Sequence, residues 1–313
     1  MKRAQILDAT EDILKESVFS VSERCIARPS CFDLVARRKD QLIFVKVPAN
    51  VGNISEKDAS ELHAISKFFS AKPLFISDGT ATKCLEDDTV YMRYNVWTIT
   101  LKTLEDIIFR GMHPLIEAGP GGYYVNLDCG VIREKRQCLG LSVGKLAEMG
   151  GTSRRTLYGY EKGMAKASVS VAYNLARVLG VPVVQPLNLF QMERADMGFF
   201  SMSKQIISRH RLLQKILNNL SHFNLSTIMV RKAPFDFIAQ SPEKKLSIVG
   251  GVVSRKERNV DQRAKEILSV GEIIKAQPVL ITDGKQAPNN GIPCIHQKDL
   301  ERIRSLEEFI EKL

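Results

Sequence analysis

The chain has no long apolar run and few cysteines. Its 313 residues are 44% hydrophobic and 26% charged, a balance typical of a globular protein. No stretch approaches the ~20 apolar residues of a membrane-spanning helix. The six cysteines form no C-x-x-C pair, which argues against a zinc site or a disulfide framework. We therefore expect no membrane partner, no metal, and reduced thiols in a cytoplasm.

Acidic and basic residues are distributed unevenly. The formal net charge is +10 and the isoelectric point is near 9.3, values that suit a polyanionic partner. Residues 125–182 contain nine Lys and Arg against four acids, a net of +5, whereas residues 1–110 contain sixteen of each kind. Cationic side chains neutralise phosphates and release counterions, so this excess favours nucleic acid as a partner of the central region.

Three short helices are predicted within residues 139–181. Ser142 and Ser153 are typical N-cap residues, and the glycines at 150, 151, 163 and 180 are typical of helix ends and tight turns. An earlier helix is expected to be capped by Asp128. The three predicted helices are Val143–Met149, Arg154–Glu161 and Val169–Leu179.

These residues resemble the DNA-binding domain of the lambda-repressor and Cro class over about residues 128–181. The resemblance implies a helix-turn-helix that binds double-stranded DNA. Val143 departs from it, because the family often has a glutamine there that touches phosphate, and Tyr158 replaces a small residue. The matching positions are Leu141, Ser142, Leu146, Ala147, Gly151, Ser153, Thr156, Leu157, Glu161 and Gly163.

The resemblance assigns roles to individual residues of the motif. In this class the start and one side of the second helix contact base edges in the major groove. The residues expected at base edges are Arg154, Arg155 and Tyr158. Those expected at backbone phosphates are Ser142, Lys145, Ser153 and Lys162. Glu161 is expected to accept hydrogen bonds or an ion pair inside the motif, and Gly163 to permit the turn that follows it.

The two flanks of the motif contain similar sequence segments in the same order. FDLVA at 32–36 matches FDFIA at 235–239, and AKPLFISDG at 71–79 matches AQPVLITDG at 276–284. An apolar strand lies between these segments in each flank. This internal repeat predicts two α/β copies able to pack as a pseudo-symmetric pair. The helices expected in the copies are Arg3–Glu16 and Glu56–Ser70 in the first, and Ser203–Leu220 and Val260–Lys275 in the second.

Each copy resembles the restriction-endonuclease-like fold, which includes Holliday-junction resolvases. Such nucleases bind a divalent metal through a P-D…(D/E)-x-K arrangement. Asp33 and Lys46 match it, but Phe44 occupies the place of the second acid, and in the second copy we align Ile248 and Gly250 with the acid and lysine. An apolar side chain cannot bind Mg²⁺. We therefore expect nuclease-like folds without catalysis, metal or cofactor.

The remaining acids have simpler expected roles. Asp33 is expected to pair with Lys46, and both Asp33 and Asp236 to act as turn or cap acceptors. The alternative is an active metal-dependent nuclease or resolvase in which the second acid has moved to Glu56 or Glu61.

The predicted fold class is α/β plus all-α, with two nuclease-like domains around a central helix-turn-helix. The predicted boundaries are 1–112 for a degenerate nuclease-like domain, 113–127 for a linker with a strand, 128–186 for the helix-turn-helix, and 187–313 for the second nuclease-like domain with its leading helix.

The whole chain resembles a family of archaeal helix-turn-helix transcriptional regulators. The resemblance implies a sequence-specific, non-enzymatic regulator that binds double-stranded DNA as a homodimer. We expect it in the cytoplasm, associated with the nucleoid. The family does not specify an effector. A second alternative is a nucleoid or transcription-associated protein with little sequence preference.

Overall fold

Helices and strands alternate along the chain, which gives a mixed α/β structure. The structure is a computed structural model. The residues that it describes are 2–190, 211–223, 225–241, 246–253, 257, 259–283, 291–300 and 302–313.

The elements fall into three successive stretches of sequence. The first comprises α1 (Arg3–Glu16), β1 (Ser20–Val21), β2 (Leu34–Arg38), β3 (Gln41–Lys46), the 3-10 turn η1 (Val51–Asn53), α2 (Glu56–Phe68), β4 (Lys72–Ile76), β5 (Thr89–Arg93), β6 (Val96–Ile99) and α3 (Leu101–Arg110). The second comprises β7 (Ile116–Gly119), β8 (Gly122–Leu127), α4 (Cys129–Cys138), α5 (Val143–Gly150), α6 (Arg154–Glu161), β9 (Ala167–Ser168), α7 (Val169–Leu179) and β10 (Val184–Gln185). The third comprises α8 (Arg211–His222), β11 (Ser226–Met229), β12 (Phe237–Ser241), β13 (Leu246–Val253), α9 (Val260–Ile274), β14 (Gln277–Thr282), β15 (Cys294–His296), α10 (Gln297–Leu300) and α11 (Leu306–Ile310).

Two units share these elements, and each unit draws on separated parts of the chain. Unit 1 is formed by Met1–Ile13, Pro48–Asn53 and Leu74–Gln191, and unit 2 by Leu14–Val47, Ile54–Pro73 and Met192–Leu313. Unit 2 therefore combines residues from both flanks of the predicted helix-turn-helix. The predicted domain boundaries do not coincide with the borders of these units and stay a prediction.

Unit 2 contains a three-strand antiparallel ribbon and a five-stranded sheet. In the ribbon, β2 pairs with both β1 and β3, and Val35 lies opposite Phe44. The sheet has the order β11-β12-β13-β14-β15. Its first three strands pair antiparallel and its last three parallel. The buried side chains of α8 and α11 cover this sheet through Ile216, Leu220 and Phe309.

Unit 1 contains a sheet that leads into a helical bundle. From the last residues of β4 onward the order is β4-β6-β5-β7-β8-β10, and β9 also pairs with β8. The helices α4 to α7 enclose a core to which β8 contributes Val125 and Leu127. Residues 113–127, predicted as a linker with one strand, thus include a β-hairpin that packs on the helices.

The predicted helices agree closely with the structure. Helices α1, α6 and α7 have the predicted bounds, and α5 is one residue longer. Helices α2 and α9 end before the predicted Ser70 and Lys275, because both residues have left-handed backbone conformations, with φ of 51° and 61°, which terminate a helix. Residues 203–210 of the predicted helix Ser203–Leu220 lie outside the described residues. None of the described helices combines the length and apolar character needed to cross a membrane.

Candidate nucleic-acid interface

Serine caps start the three main helices of the central bundle. The Oγ atoms of Ser142 and Ser153 accept hydrogen bonds from the backbone N–H groups three residues later, at 3.1 and 3.0 Å, and Ser168 does the same at the start of α7. Gly151 ends α5 with φ 70°, a conformation that glycine adopts without steric cost. The turn between α5 and α6 is therefore fixed by local sequence.

Close packing fixes the angle between the helices. Leu146, Leu157 and Leu175 are fully buried at the centre of the bundle. A Cβ atom at Gly150 would lie 2.7 Å from a methyl group of Leu175, so any other residue there would require the Leu175 side chain to shift. The packing of these side chains fixes α6 against the bundle, and its other face is exposed to solvent.

The solvent face of α6 carries the predicted base-contact residues. Arg154, Arg155 and Tyr158 are exposed, the last by 54%. Neither guanidinium has a hydrogen bond or ion pair with the described part of the chain. Lys162 Nζ lies 5.7 Å from the centre of the Tyr158 ring, within the range of a cation–π contact. The two arginines are free to bind an external anion or a base edge.

The predicted phosphate-contact residues are exposed as well. Ser142, Lys145, Ser153 and Lys162 all lie on the surface. The two serine oxygens act as acceptors in the helix caps, and Ser153 Oγ also shares a hydrogen bond with Thr156 Oγ1 at 2.8 Å. Lys145 Nζ is 3.0 Å from Glu148 Oε2 in a solvent-exposed ion pair, which is worth little energetically and gives way easily.

Glu161 lies inside the bundle, as expected. Its carboxylate accepts hydrogen bonds from Arg136 Nε and Nη2 at 2.5 and 3.1 Å, and the two side chains are only 7% and 12% exposed. Arg136 also donates to the carbonyl of Leu141. The hydrogen bonds that Arg136 donates to Glu161 raise the pKa of Arg136. This bidentate pair ties α4 to the end of α6.

Pairing of β8 with β9 is a feature that sequence reasoning missed. The short strand Ala167–Ser168 lies opposite Val125 and Tyr124, and Lys166 Nζ is 2.5 Å from Glu117 Oε2 on β7. The chain leaving α6 is therefore held against the β7–β8 hairpin. The only local signal was the glycine-rich segment at 119–122, which forms the tip of that hairpin.

Asp33 and Lys46 form the expected ion pair in unit 2. Lys46 Nζ donates to Asp33 Oδ1 at 2.9 Å and to the carbonyl of Ser30 at 2.7 Å. The other carboxylate oxygen accepts the N–H of Val47 at 2.7 Å. Asp33 thus bridges β2 to β3, and its expected role as a turn or cap acceptor stays a prediction.

The residue in the place of the second acid and the two candidate acids have different surroundings. Phe44 is fully buried and packs edge-on against Phe32, with ring centres 5.0 Å apart. The candidate acid Glu61 instead accepts the backbone N–H groups of Arg231 and Lys232 at 2.5 and 2.6 Å. Glu56 is exposed at the start of α2. No group of three or more His, Cys, Asp or Glu side chains suited to a metal occurs among the residues that the structure describes.

Asp236 has the same backbone role in the second flank. Its N–H donates to the carbonyl of Gly250, and Val252 N–H donates to its Oδ2, just as Asp33 bonds Val45 and Val47. Aligned on these bonds, the strand positions equivalent to Phe44 and Lys46 are Val249 and Gly251. Our sequence alignment to Ile248 and Gly250 was wrong by one residue, because it was set by residue type without the strand register.

Two arginines surround Asp236 in place of a lysine. Arg28 Nη1 donates to Asp236 Oδ1 at 2.7 Å, and Arg263 Nη2 donates to Oδ2. Burial alone would raise the pKa of Asp236, but the charges of Arg263 and Arg28 outweigh it and hold the pKa below its ordinary value. The turn or cap role expected for Asp236 is wrong, since its carboxylate oxygens bind the backbone of β13 and these two cations.

The two flanks contact each other reciprocally within unit 2. Glu61 on α2 accepts two backbone N–H groups from residues 231–232, and Glu266 on α9 accepts those of Ile26 and Ala27 at 2.9 and 2.8 Å. The rings of Phe32 and Phe235, which precede the two aspartates, lie 6.3 Å apart. In each flank, one glutamate on a helix therefore accepts two backbone N–H groups of the other flank.

Comparisons with known proteins match two regions of the chain to known domains. The PD-(D/E)XK superfamily domain matches residues 3–114, and a helix-turn-helix domain matches residues 132–185. No solved structure matches the chain.

Proteins of several archaea align with the chain from end to end. A "Putative HTH-type transcriptional regulatory protein" of Archaeoglobus fulgidus is 32% identical over 311 residues, which are 99% of this chain and 97% of that protein. The proteins of that description from Pyrococcus horikoshii and Methanocaldococcus jannaschii are each 30% identical, over 99% and 96% of this chain and 97% and 93% of their own lengths. The fold and the exposed helix define a helix-turn-helix protein with a nuclease-like domain. The chain belongs to this archaeal HTH-type family.

Proposed function

We infer that the protein is a transcriptional regulator that binds specific sequences of double-stranded DNA through the central helix-turn-helix. The observation that carries this proposal is the solvent face of α6, where Arg154 and Arg155 have no partner among the described residues. An arginine binds guanine O6 and N7 bidentately, worth about 1–3 kcal/mol of discrimination. The description of the archaeal relatives as transcriptional regulators supports the same function.

We expect different residues to contact the DNA bases and the backbone phosphates. We assign base contacts to Arg154, Arg155 and Tyr158, because they occupy the exposed start and one side of α6. We assign phosphate contacts to the capping serines and Lys145 in the first turns of α5 and α6, where backbone N–H groups favour an anion, and to Lys162 for its exposed positive charge alone. These phosphate-contact residues are Ser142, Lys145, Ser153 and Lys162.

Selection of bound sequences from randomised duplex DNA tests the proposal. The intact protein should enrich one motif, and Arg154→Ala and Arg155→Ala should each flatten preference at particular positions. Lys145→Ala should weaken binding to all sequences and reduce the slope of log affinity against log salt by about one unit. Arg177→Ala is the matched control, because Arg177 is exposed on α7 and should leave the motif unchanged.

The same selection separates specific from non-specific binding. No enriched motif, together with equal affinity for competitor DNA, would replace this proposal with that of a nucleoid or transcription-associated protein without sequence preference. Unchanged motifs in both arginine variants would show that other residues contact the bases.

We also assign a structural role to the flanks. The equivalent contacts of Asp33 and Asp236, and of Glu61 and Glu266, support an internal repeat whose two copies pair within one chain. In this proposal the domain boundaries lie near residues 112, 127 and 186, and the protein works in the cytoplasm, associated with the nucleoid, as a homodimer.

Metal-dependent cleavage of DNA is the second candidate function. The superfamily match to residues 3–114 and the Asp33–Lys46 pair favour it, and the buried Phe44 in the place of the second acid argues against it. Linear, nicked and four-way-junction DNA should all stay intact with Mg²⁺ or Mn²⁺. Cleavage by the unmodified protein that is lost in Asp33→Ala would establish the nuclease. Phe44→Glu restores the second acid and serves as the test of whether metal binding returns.

A further inference from the structure

The exposed loop that follows α6 is bound to the β7–β8 hairpin through an ion pair. Residues 162–166 form this loop between α6 and β9, and all of them are exposed. At its end, Lys166 Nζ lies 2.5 Å from Glu117 Oε2. The strand register sets this contact, because Tyr124 pairs with both Glu117 and Ser168 and so places them in one row across β7, β8 and β9. The hairpin therefore holds a carboxylate at the last lysine of the loop.

Glu117 is the shielded member of this pair. Its side chain is 14% exposed, whereas that of Lys166 is 43% exposed. In the ion pair of Lys145 with Glu148, by contrast, both side chains are exposed and lie on the same helix. Lysine reaches its partners through a flexible four-carbon stem. Lys166 is therefore the member that can change partner, while Glu117 stays in place on its strand.

The position of Lys166 suits a phosphate at the edge of the major groove. Helix α6 has eight residues and is therefore about 12 Å long, which is similar to the width of the major groove. When Arg154 at one end of α6 contacts base edges, the other end and the loop after it reach the phosphates that border the groove. A phosphate and a carboxylate are alternative anionic partners of one ammonium group, so DNA and Glu117 compete for Lys166.

We propose that Glu117 takes the place of a DNA phosphate on Lys166 and so weakens binding to duplex DNA of any sequence. This rests on the DNA-binding function proposed above. A free lysine that neutralises a phosphate releases about 0.9 counterion. Lys166 must first leave Glu117, and the freed carboxylate takes up a cation, so the net release is close to zero. Non-specific binding, which depends essentially on phosphate charges, loses this contribution, and the base contacts of α6 become a larger share of the affinity.

Titrations of the full-length protein with one non-specific duplex at several salt concentrations test the proposal. Glu117→Gln keeps the size of the side chain and frees Lys166. It should raise the affinity about eightfold at 0.1 M salt and steepen the slope of log affinity against log salt by about 0.9. Lys166→Met added to Glu117→Gln should abolish both gains. The matched control is Glu134→Gln, because Glu134 is exposed on α4 and has no ion pair within the described residues; it changes the net charge equally and should leave the slope unchanged.

Lys166→Met alone gives a second test, which decides the matter if Glu117→Gln does not fold. It should leave the salt slope unchanged, because the charge of Lys166 is already neutralised, whereas Lys145→Ala should reduce the slope by about one unit. An unchanged slope in folded Glu117→Gln, or a slope reduced by Lys166→Met, would overturn this proposal and leave the DNA-binding function intact. Absence of duplex binding by the unmodified protein would overturn both.

Discussion

Arginine residues of this chain have sharply different surroundings, and the surroundings decide their roles. Arg263 is buried, Arg136 is partly buried, and both are bound to carboxylates, so each joins two elements of the fold. Arg154 and Arg155 are exposed and without partners in the described residues. Because guanidinium is always charged, the first two cost the fold free energy unless they stay paired, whereas the second two are available to DNA.

Removal of one partner of the partly buried Arg136–Glu161 pair should destabilise the bundle. Glu161→Ala removes both hydrogen-bond acceptors of the guanidinium, and we expect a loss of about 1.5–3 kcal/mol in the free energy of unfolding, measured by denaturant titration. Glu148→Ala removes the exposed partner of Lys145 and should change stability by less than ~1 kcal/mol. Similar losses in the two variants would contradict the buried role of Glu161.

The turn after α6 requires a left-handed residue at Gly163. Its φ is 66°, where a β-branched side chain is strained. Gly163→Val should therefore destabilise by at least ~1–2 kcal/mol before it alters base preference. Gly144→Ala is the matched control, since Gly144 lies within helix α5 and a Cβ there meets only Ser142 Oγ at 3.8 Å; it should stabilise by about 0.5–1 kcal/mol. A stable Gly163→Val protein with a new DNA motif would refute this role.

At the scale of elements, local signals in the sequence predict the helices well. Serine caps and glycine ends predict α5, α6 and α7 almost to the residue, because capping depends on neighbours in the chain. The strand register of β12 and β13 was missed by one position, and the pairing of β8 with β9 was not predicted at all. Both depend on hydrogen bonds from one strand to another, whose register the residue types within each strand do not determine.

The same limit applies to the candidate sites. The ion pair of Asp33 with Lys46 was predictable, because both positions belong to a known motif. The contacts of Arg28 and Arg263 with Asp236 were not predictable, since those residues lie 208 and 27 positions away in sequence. Only the folded unit 2 brings all three together.

The Asp236 cluster should make the stability of the β12–β13 hairpin and α9 depend on pH. The pKa of Asp236 is lower in the folded protein, so its contribution is present above the unfolded value of about 3.9 and is lost as pH falls through the folded value. Denaturant unfolding should show a deficit for Asp236→Asn at pH 7 that shrinks at pH 3. The exposed Asp299→Asn should show little deficit at either pH, and a constant deficit for Asp236→Asn would contradict the ionic mechanism.

For the whole molecule, the reciprocal contacts within unit 2 bear on assembly. Glu61 and Glu266 each hold the opposite flank through two backbone N–H groups, and Phe32 faces Phe235. If the flanks pair inside one chain as we propose, the surfaces used in that pairing are already covered. A homodimer must then form through other surfaces and would carry two helix-turn-helix motifs, one from each chain.

Two motifs related by a two-fold axis should recognise two half-sites one DNA turn apart. The recognition helices of such dimers lie ~34–36 Å apart, or about 10 bp between half-site centres. Duplexes that carry two copies of the selected motif as an inverted repeat should bind two chains cooperatively at 10-bp spacing and much more weakly at 15 bp, which places the second half-site on the opposite side of the duplex. Analytical ultracentrifugation of the complexes gives the number of chains, and titrations of the two duplexes give the affinities. Arg154→Ala should keep the dimer and lose the motif. Binding of one chain per duplex, or equal affinity at both spacings, would exclude a two-fold dimer as the DNA-binding form.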